Sequence, residues 1–86
     1  MAGNTQKHND FVGEPMEQKL VTALPGIGRA IGQRLIDDDR YGTARKLFGY
    51  YLNHTREQFI ALLGELGNAS KHNATLAYGA LEEWAR

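Results

Sequence analysis

No cysteine occurs anywhere in the 86-residue chain, which excludes disulfides and thiolate metal sites and removes any clue to redox compartment. No apolar run approaches the length of a membrane span, and the polar N-terminus is not a signal peptide, so the sequence reads as soluble and intracellular with no direct membrane insertion. An excess of either charge is also missing. Ten Lys and Arg balance ten Asp and Glu, which argues against a large electrostatic footprint on a polyanion. Chemistry-bearing constellations are equally scarce. His8, His54 and His72 stand far apart, and none has a second ligand at helical spacing, so no metal is expected. No Ser/His/Asp or Cys/His arrangement can be read, and Glu82-Glu83 looks like a solvated face. Walker-type and dinucleotide fingerprints are absent because Gly26-Ile27-Gly28 follows a helix and not a strand. Neither a cofactor nor catalysis is expected.

A chain of this length makes one domain, residues 1–86, with a small core and a large surface for its volume. Burial against a partner subunit would help it. Charge distribution matters more than the zero total. Acidic residues cluster at Asp37, Asp38 and Asp39 and at Glu82 and Glu83, whereas Lys7, Arg29, Arg34 and Lys71 lie in or beside segments that begin helices.

The chain is organised around Leu24-Pro25-Gly26-Ile27-Gly28-Arg29-Ala30-Ile31-Gly32. Leu24 closes a short apolar run, Pro25 and Gly26 force a turn, and Gly28 opens a helix on which Ile27, Ile31 and Leu35 fall four residues apart. That is the outline of a helix-hairpin-helix. Two glycines at a helix start leave backbone N–H groups bare, because no side chain shields them and first-turn donors have no partner within the helix. The natural ligand is an anion such as phosphate, with Ile27 pointing inward as a peg. Such a bend grips a sugar-phosphate backbone and ignores the bases. The plainer alternative is a tight turn that binds nothing, in a helical protein-protein interaction module.

Residues 1–4 are expected to be flexible, and Thr5 can cap a helix from Gln6 to Val12 with Phe11 and Val12 inward. Gly13-Glu14-Pro15 ends it. Lys19 to Leu24 can make the first hairpin helix, burying Leu20 or Val21 together with Leu24, and Gly28 to Asp38 the second. The triple Asp closing that helix is unfavourable against the negative helix end and should fray into the Arg40-Tyr41-Gly42 turn. It does not alternate as metal loops do, so a solvated terminus is preferred over a cation site. From Thr43, Ala44, Leu47, Phe48 and Tyr51 follow a core-face pattern. Thr55-Arg56-Glu57-Gln58 reads as a capping box launching a helix with Phe59, Leu62, Leu63 and Leu66 inward, which Gly67 stops. Asn68 can cap a last helix that buries Ala77, Ala80, Leu81 and Trp84, with Ser70 and Lys71 in its first turn. A lysine there opposes the helix dipole, which makes sense if an anion is sometimes present.

Phe48-Gly49-Tyr50-Tyr51-Leu52 is apolar or aromatic nearly all the way round, more than one small core can use. Either Tyr50 and Leu52 are merely part-exposed, or this face packs on a second copy with Gly49 permitting close approach. The second reading is preferred, since aromatic residues are enriched at interface centres.

Over nearly its whole length the chain resembles the barrier-to-autointegration factor family of small dimeric chromatin proteins. The resemblance is carried by Gln6-Lys7-His8 with Asp10-Phe11-Val12, Glu14-Pro15-Met16, Gly26-Ile27-Gly28 with Gly32, and Glu83-Trp84, with weaker echoes from Leu47 to Leu52 and at Gly67 and Lys71. It implies an all-α fold, a compact five- to six-helix domain containing the helix-hairpin-helix and SAM-domain-like in kind. It further implies a homodimer that binds double-stranded DNA without sequence preference, one duplex per subunit, and so bridges DNA in nucleus and cytoplasm. The family's DNA surface falls here on Gln6, Lys7, Gly26, Ile27, Gly28, Ala30, Ile31, Arg34, Ser70 and Lys71, with Arg29 an added cation where the family often has an acid. LEM-domain proteins, lamins and histones are the protein partners implied. Thr5 is the matching position for a phosphorylation that releases DNA. His54-Thr55 in place of a basic pair, the missing tryptophan in the Phe59 helix, the missing cysteines and the extra residue in the Asp37 to Asp39 stretch are departures that bear on partner binding more than on DNA.

Overall fold

The computed structural model describes residues 6–16, 19–38 and 40–86. Among these, five α-helices follow one another without a strand: α1 (Gln6–Val12), α2 (Arg29–Asp38), α3 (Ala44–Asn53), α4 (Arg56–Gly67) and α5 (Lys71–Trp84), with a 3-10 turn at Val21–Ala23 before α2. The fold is therefore all-α, as the periodicities predict. Thr5, the expected cap and modification position, lies outside the described residues, as do Glu17, Gln18 and Asp39.

The longest helix, α5, is the axis of the packing. Its buried stripe is Ala74, Ala77, Ala80 and Leu81, and these mostly small side chains let α1, α3 and α4 pack on it, while α2 lies on α4 and on the 3-10 turn. Phe11, Val21, Leu24, Ile27, Leu35, Leu47, Phe59, Leu63 and Leu81 are fully buried. Each such side chain withdraws enough apolar surface from water to contribute roughly 1.5–3 kcal/mol before conformational entropy is charged against it.

Capping follows the sequence closely in the middle of the chain. Thr43 Oγ1 accepts from the Lys46 amide at 3.2 Å. At the start of α4 the Gln58 amide donates to Thr55 Oγ1 at 3.2 Å while the Thr55 amide donates to Gln58 Oε1 at 2.9 Å, the reciprocal pair of the predicted capping box.

Two expectations are corrected. The first hairpin helix, anticipated from Lys19 to Leu24, is only the 3-10 turn Val21–Ala23. Leu20 is held extended because it pairs with Thr43: the Val21 amide donates to Gly42 O at 3.1 Å and the Ala44 amide to Lys19 O at 2.9 Å. With those groups engaged across to the start of α3, the segment closes only as three-residue turns, Ala23 to Leu20, Leu24 to Val21 and Ile27 to Leu24. Of the two candidates for burial, Val21 goes inward and Leu20 stays 54% exposed. The second correction concerns Asn68, which does not cap α5. It ends α4 in the left-handed conformation at φ 55°, its amide donating to Leu63 O, and the Ala69 amide reaches the same carbonyl at 3.1 Å. Ser70 caps α5 instead, its Oγ accepting from the Asn73 amide at 3.1 Å.

At the close of α2 the helix persists through Asp38. Gln33 Nε2 donates to Asp37 Oδ1 at 2.9 Å and Arg40 Nε to Asp38 Oδ1 at 2.6 Å. The Arg40 hydrogen bond holds the Asp38 carboxyl below its ordinary pKa, so a cation sits where the helix end needs one.

Candidate nucleic-acid interface

The hairpin bend is fixed from inside and bare outside. Ile27 is fully buried and pegs the bend to the core, and Pro25 is buried beside it. Gly26 turns the chain at φ 83°, a region that suits glycine, and a Cβ there would lie 2.1 Å from Asn73 O. The bend therefore rests directly on the first turn of α5. Gly28 meets nothing: a Cβ there would have no neighbour within 4 Å.

Gly28 O accepts the first α2 bond, from the Gly32 amide at 2.8 Å. The N–H groups of Gly28, Arg29, Ala30 and Ile31 have no protein acceptor among the described residues. Gly28, Arg29 and Ala30 are exposed, and no acidic residue stands in the first turn of α2 to compensate these donors. The carbonyl of Ile27, which Ile31 would ordinarily use, is taken by Lys7: its Nζ donates to Ile27 O at 2.9 Å across 20 residues of sequence. Partial burial lowers the Lys7 pKa from its ordinary value.

The structure thus brings Lys7 and the first turn of α5, which follows the Ser70 cap and opens with Lys71, against the hairpin bend. Other predicted site residues contribute differently. Ile27 and Ile31 can offer only main chain, since Ile27 is buried and Ile31 is half-buried against the end of α4. Gln6 turns back along α1, Nε2 donating to Asp10 Oδ1 at 2.7 Å. Arg34 is exposed but donates from Nη1 to Gly67 O at 3.1 Å. Asn73, whose carbonyl supports Gly26, escapes a sequence reading because its contribution is main-chain.

The aromatic stretch divides. Phe48 stacks on Tyr51 at 5.5 Å between centroids and meets Trp84 edge-on at 5.3 Å, while Tyr51 lies 5.2 Å from Tyr78. Tyr50 packs on His54 at 3.7 Å. Phe48, Tyr50, Tyr51, Tyr78 and Trp84 are half-buried among their own neighbours, whereas His54 is exposed, Leu52 is 63% exposed and Gly49 has open space around it. His8, on α1, lies with Nε2 3.3 Å from Glu83 Oε1, and Trp84 Nε1 donates to Glu14 O at 2.8 Å, so α5 ties down both ends of the first segment. Among the described residues no three metal-ligating side chains converge, and no helix is long and apolar enough to cross a membrane.

Fold and bend together define an all-helical protein whose hairpin bend presents a run of main-chain donors with no protein acceptor among the described residues. The family model for barrier to autointegration factor matches residues 2–86. The chain is 41% identical over 81 residues to barrier-to-autointegration factor 1 of Caenorhabditis elegans, covering 92% of this chain and 90% of that protein. It is 40% identical over 86 residues to barrier-to-autointegration factor of Drosophila melanogaster, with 98% and 94% covered, and 33% identical over 82 residues to that of Homo sapiens, with 93% and 91% covered. The chain belongs to the barrier-to-autointegration factor family.

Proposed function

We propose that the protein is a non-catalytic chromatin protein that binds double-stranded DNA without sequence preference through the Gly26–Ala30 bend and, as a homodimer, bridges two duplexes. The observation that carries this reading is the run of four amides from Gly28 to Ile31 without a protein acceptor, beside the Ile27 carbonyl that Lys7 holds and the Gly26 turn that rests on the first turn of α5. Main-chain donors at a helix start suit phosphate oxygens, and they carry no information about base sequence. Family membership supports the same reading. Nuclear and cytoplasmic residence and LEM-domain, lamin or histone partners are the further roles it suggests.

A neutral chain contacts few phosphates. If about three are neutralised per subunit, log affinity falls with log salt at a slope of roughly −2.7. One subunit is then a weak binder, and two sites on one dimer recover affinity by avidity when both reach DNA. The bend itself is tested by Gly28→Glu. The open space at Gly28 accepts a side chain without disturbing the fold, while a carboxylate there repels phosphate from the bare amides. In a gel-shift with random-sequence duplex the variant should lose binding with its helicity unchanged. Binding equal to wild type overturns the proposal and favours a protein-interaction module in which the hairpin is only a turn.

A further inference from the structure

The corner between α4 and α5 carries Lys71, yet nothing in its own sequence fixes it relative to the hairpin. Gly67 ends α4 with its carbonyl among those that no helical amide can reach. Asn68 and Ala69 both turn back onto Leu63 O, and the Ser70 hydroxyl begins α5, so Gly67 and Lys71 are separated by only three tightly bonded residues. A displacement of Gly67 is transmitted to Lys71.

What holds Gly67 is α2. A Cβ at Gly67 would lie 2.8 Å from Ile31 Cγ2, so the absent side chain lets the helix end sit directly on the outer face of the hairpin's helix. Arg34, one turn further along α2, donates from Nη1 to Gly67 O at 3.1 Å, across 33 residues of sequence. The guanidinium thus occupies one donor on the neighbouring helix end, and its remaining donors have no protein partner among the described residues. On the other side, Asn73 O sits against Gly26. The corner is therefore clasped twice, by Arg34 behind it and by the bend before it.

We infer that Arg34 is a positioning residue: by holding Gly67 O it sets the distance between the bare amides of the bend and Lys71. This deepens the proposed DNA reading and rests on it. A residue that only neutralised a phosphate would act independently of Lys71, whereas one that places Lys71 loses most of its effect once Lys71 is gone.

The test is a double-mutant cycle on duplex binding with Arg34→Met, Lys71→Met and the pair, beside a control cycle of Arg34→Met with Lys7→Met. Arg34→Met should weaken binding about as much as Lys71→Met and flatten the salt dependence by the same single contact. The Arg34/Lys71 pair should bind at least fivefold better than independent effects predict, and the Arg34/Lys7 pair should show independent effects. Amide hydrogen exchange of Asn68, Ala69 and Asn73, the hydrogen-bonded amides of the corner, should accelerate at least tenfold in Arg34→Met in free protein, with the α3 amides unchanged. Independent effects in the Arg34/Lys71 cycle, or unchanged exchange at the corner, overturn the inference. If wild type itself fails to bind duplex, the DNA reading has failed, and exchange at the corner still decides the positioning role.

Discussion

Two glycines two positions apart in the bend are there for different physical reasons. Gly26 is required by the protein: its φ of 83° and the Asn73 carbonyl 2.1 Å from where a Cβ would stand leave room for hydrogen only. Gly28 is required by nothing inside the molecule, since its surroundings are empty. Gly26→Ala should therefore destabilise the fold by about 1–3 kcal/mol, the cost of a strained left-handed residue, and lower Tm by at least about 4 °C for a domain of this size. Gly28→Ala should leave Tm within about 2 °C of wild type, near the ±0.5 kcal/mol of an ordinary surface change. Thermal melts by circular dichroism compare the two, and equal melting temperatures would contradict the assignment. Lys7 shows the same economy on the polar side, where one ammonium both supplies charge and pins α1 to the Ile27 carbonyl.

At the level of helices, what could be read from the chain was whatever is encoded locally. The capping box at Thr55 and Gln58 and the Thr43 cap need only neighbours a turn away and are present as read; of the inward ladders, Phe59, Leu63, Ala77, Ala80 and Leu81 are buried, while Leu62, Leu66 and Trp84 are only half-buried. What escaped was long-range. The segment from Lys19 to Leu24 has helical spacing, but pairing of Leu20 with Thr43, far along the chain, holds it extended and leaves a 3-10 turn. Asn68 tolerates the left-handed region better than most residues, so it closes α4 and leaves the cap of α5 to Ser70. The bend's composition was legible from Pro25, Gly26 and Gly28. Its support by Asn73, and the clasp of Arg34 on Gly67, were not, because each depends on a main-chain carbonyl that carries no residue signature.

For the molecule as a whole, the proposed bridging activity requires a second copy. The face around Gly49 and Leu52 is where it would dock: Phe48, Tyr50 and Tyr51 are partly spent on internal ring contacts, which leaves the smooth glycine and the exposed leucine outward. Gly49→Asp places a charge where space is open, so the subunit should still fold. Light scattering should give the mass of two chains for wild type and of one for the variant. A single-chain mass for wild type, or an unchanged mass for the variant, would remove this face from the account. The claim on which everything else depends is that main-chain amides at the bend meet phosphate. Its most direct measurement is an amide-resolved NMR titration of the isotopically labelled protein with a short random-sequence duplex. The Gly28, Arg29 and Ala30 amides should shift most, with Lys71 beside them, and by the same pattern for a second, unrelated duplex; shifts confined to other faces, or a pattern that changes with base sequence, would contradict it.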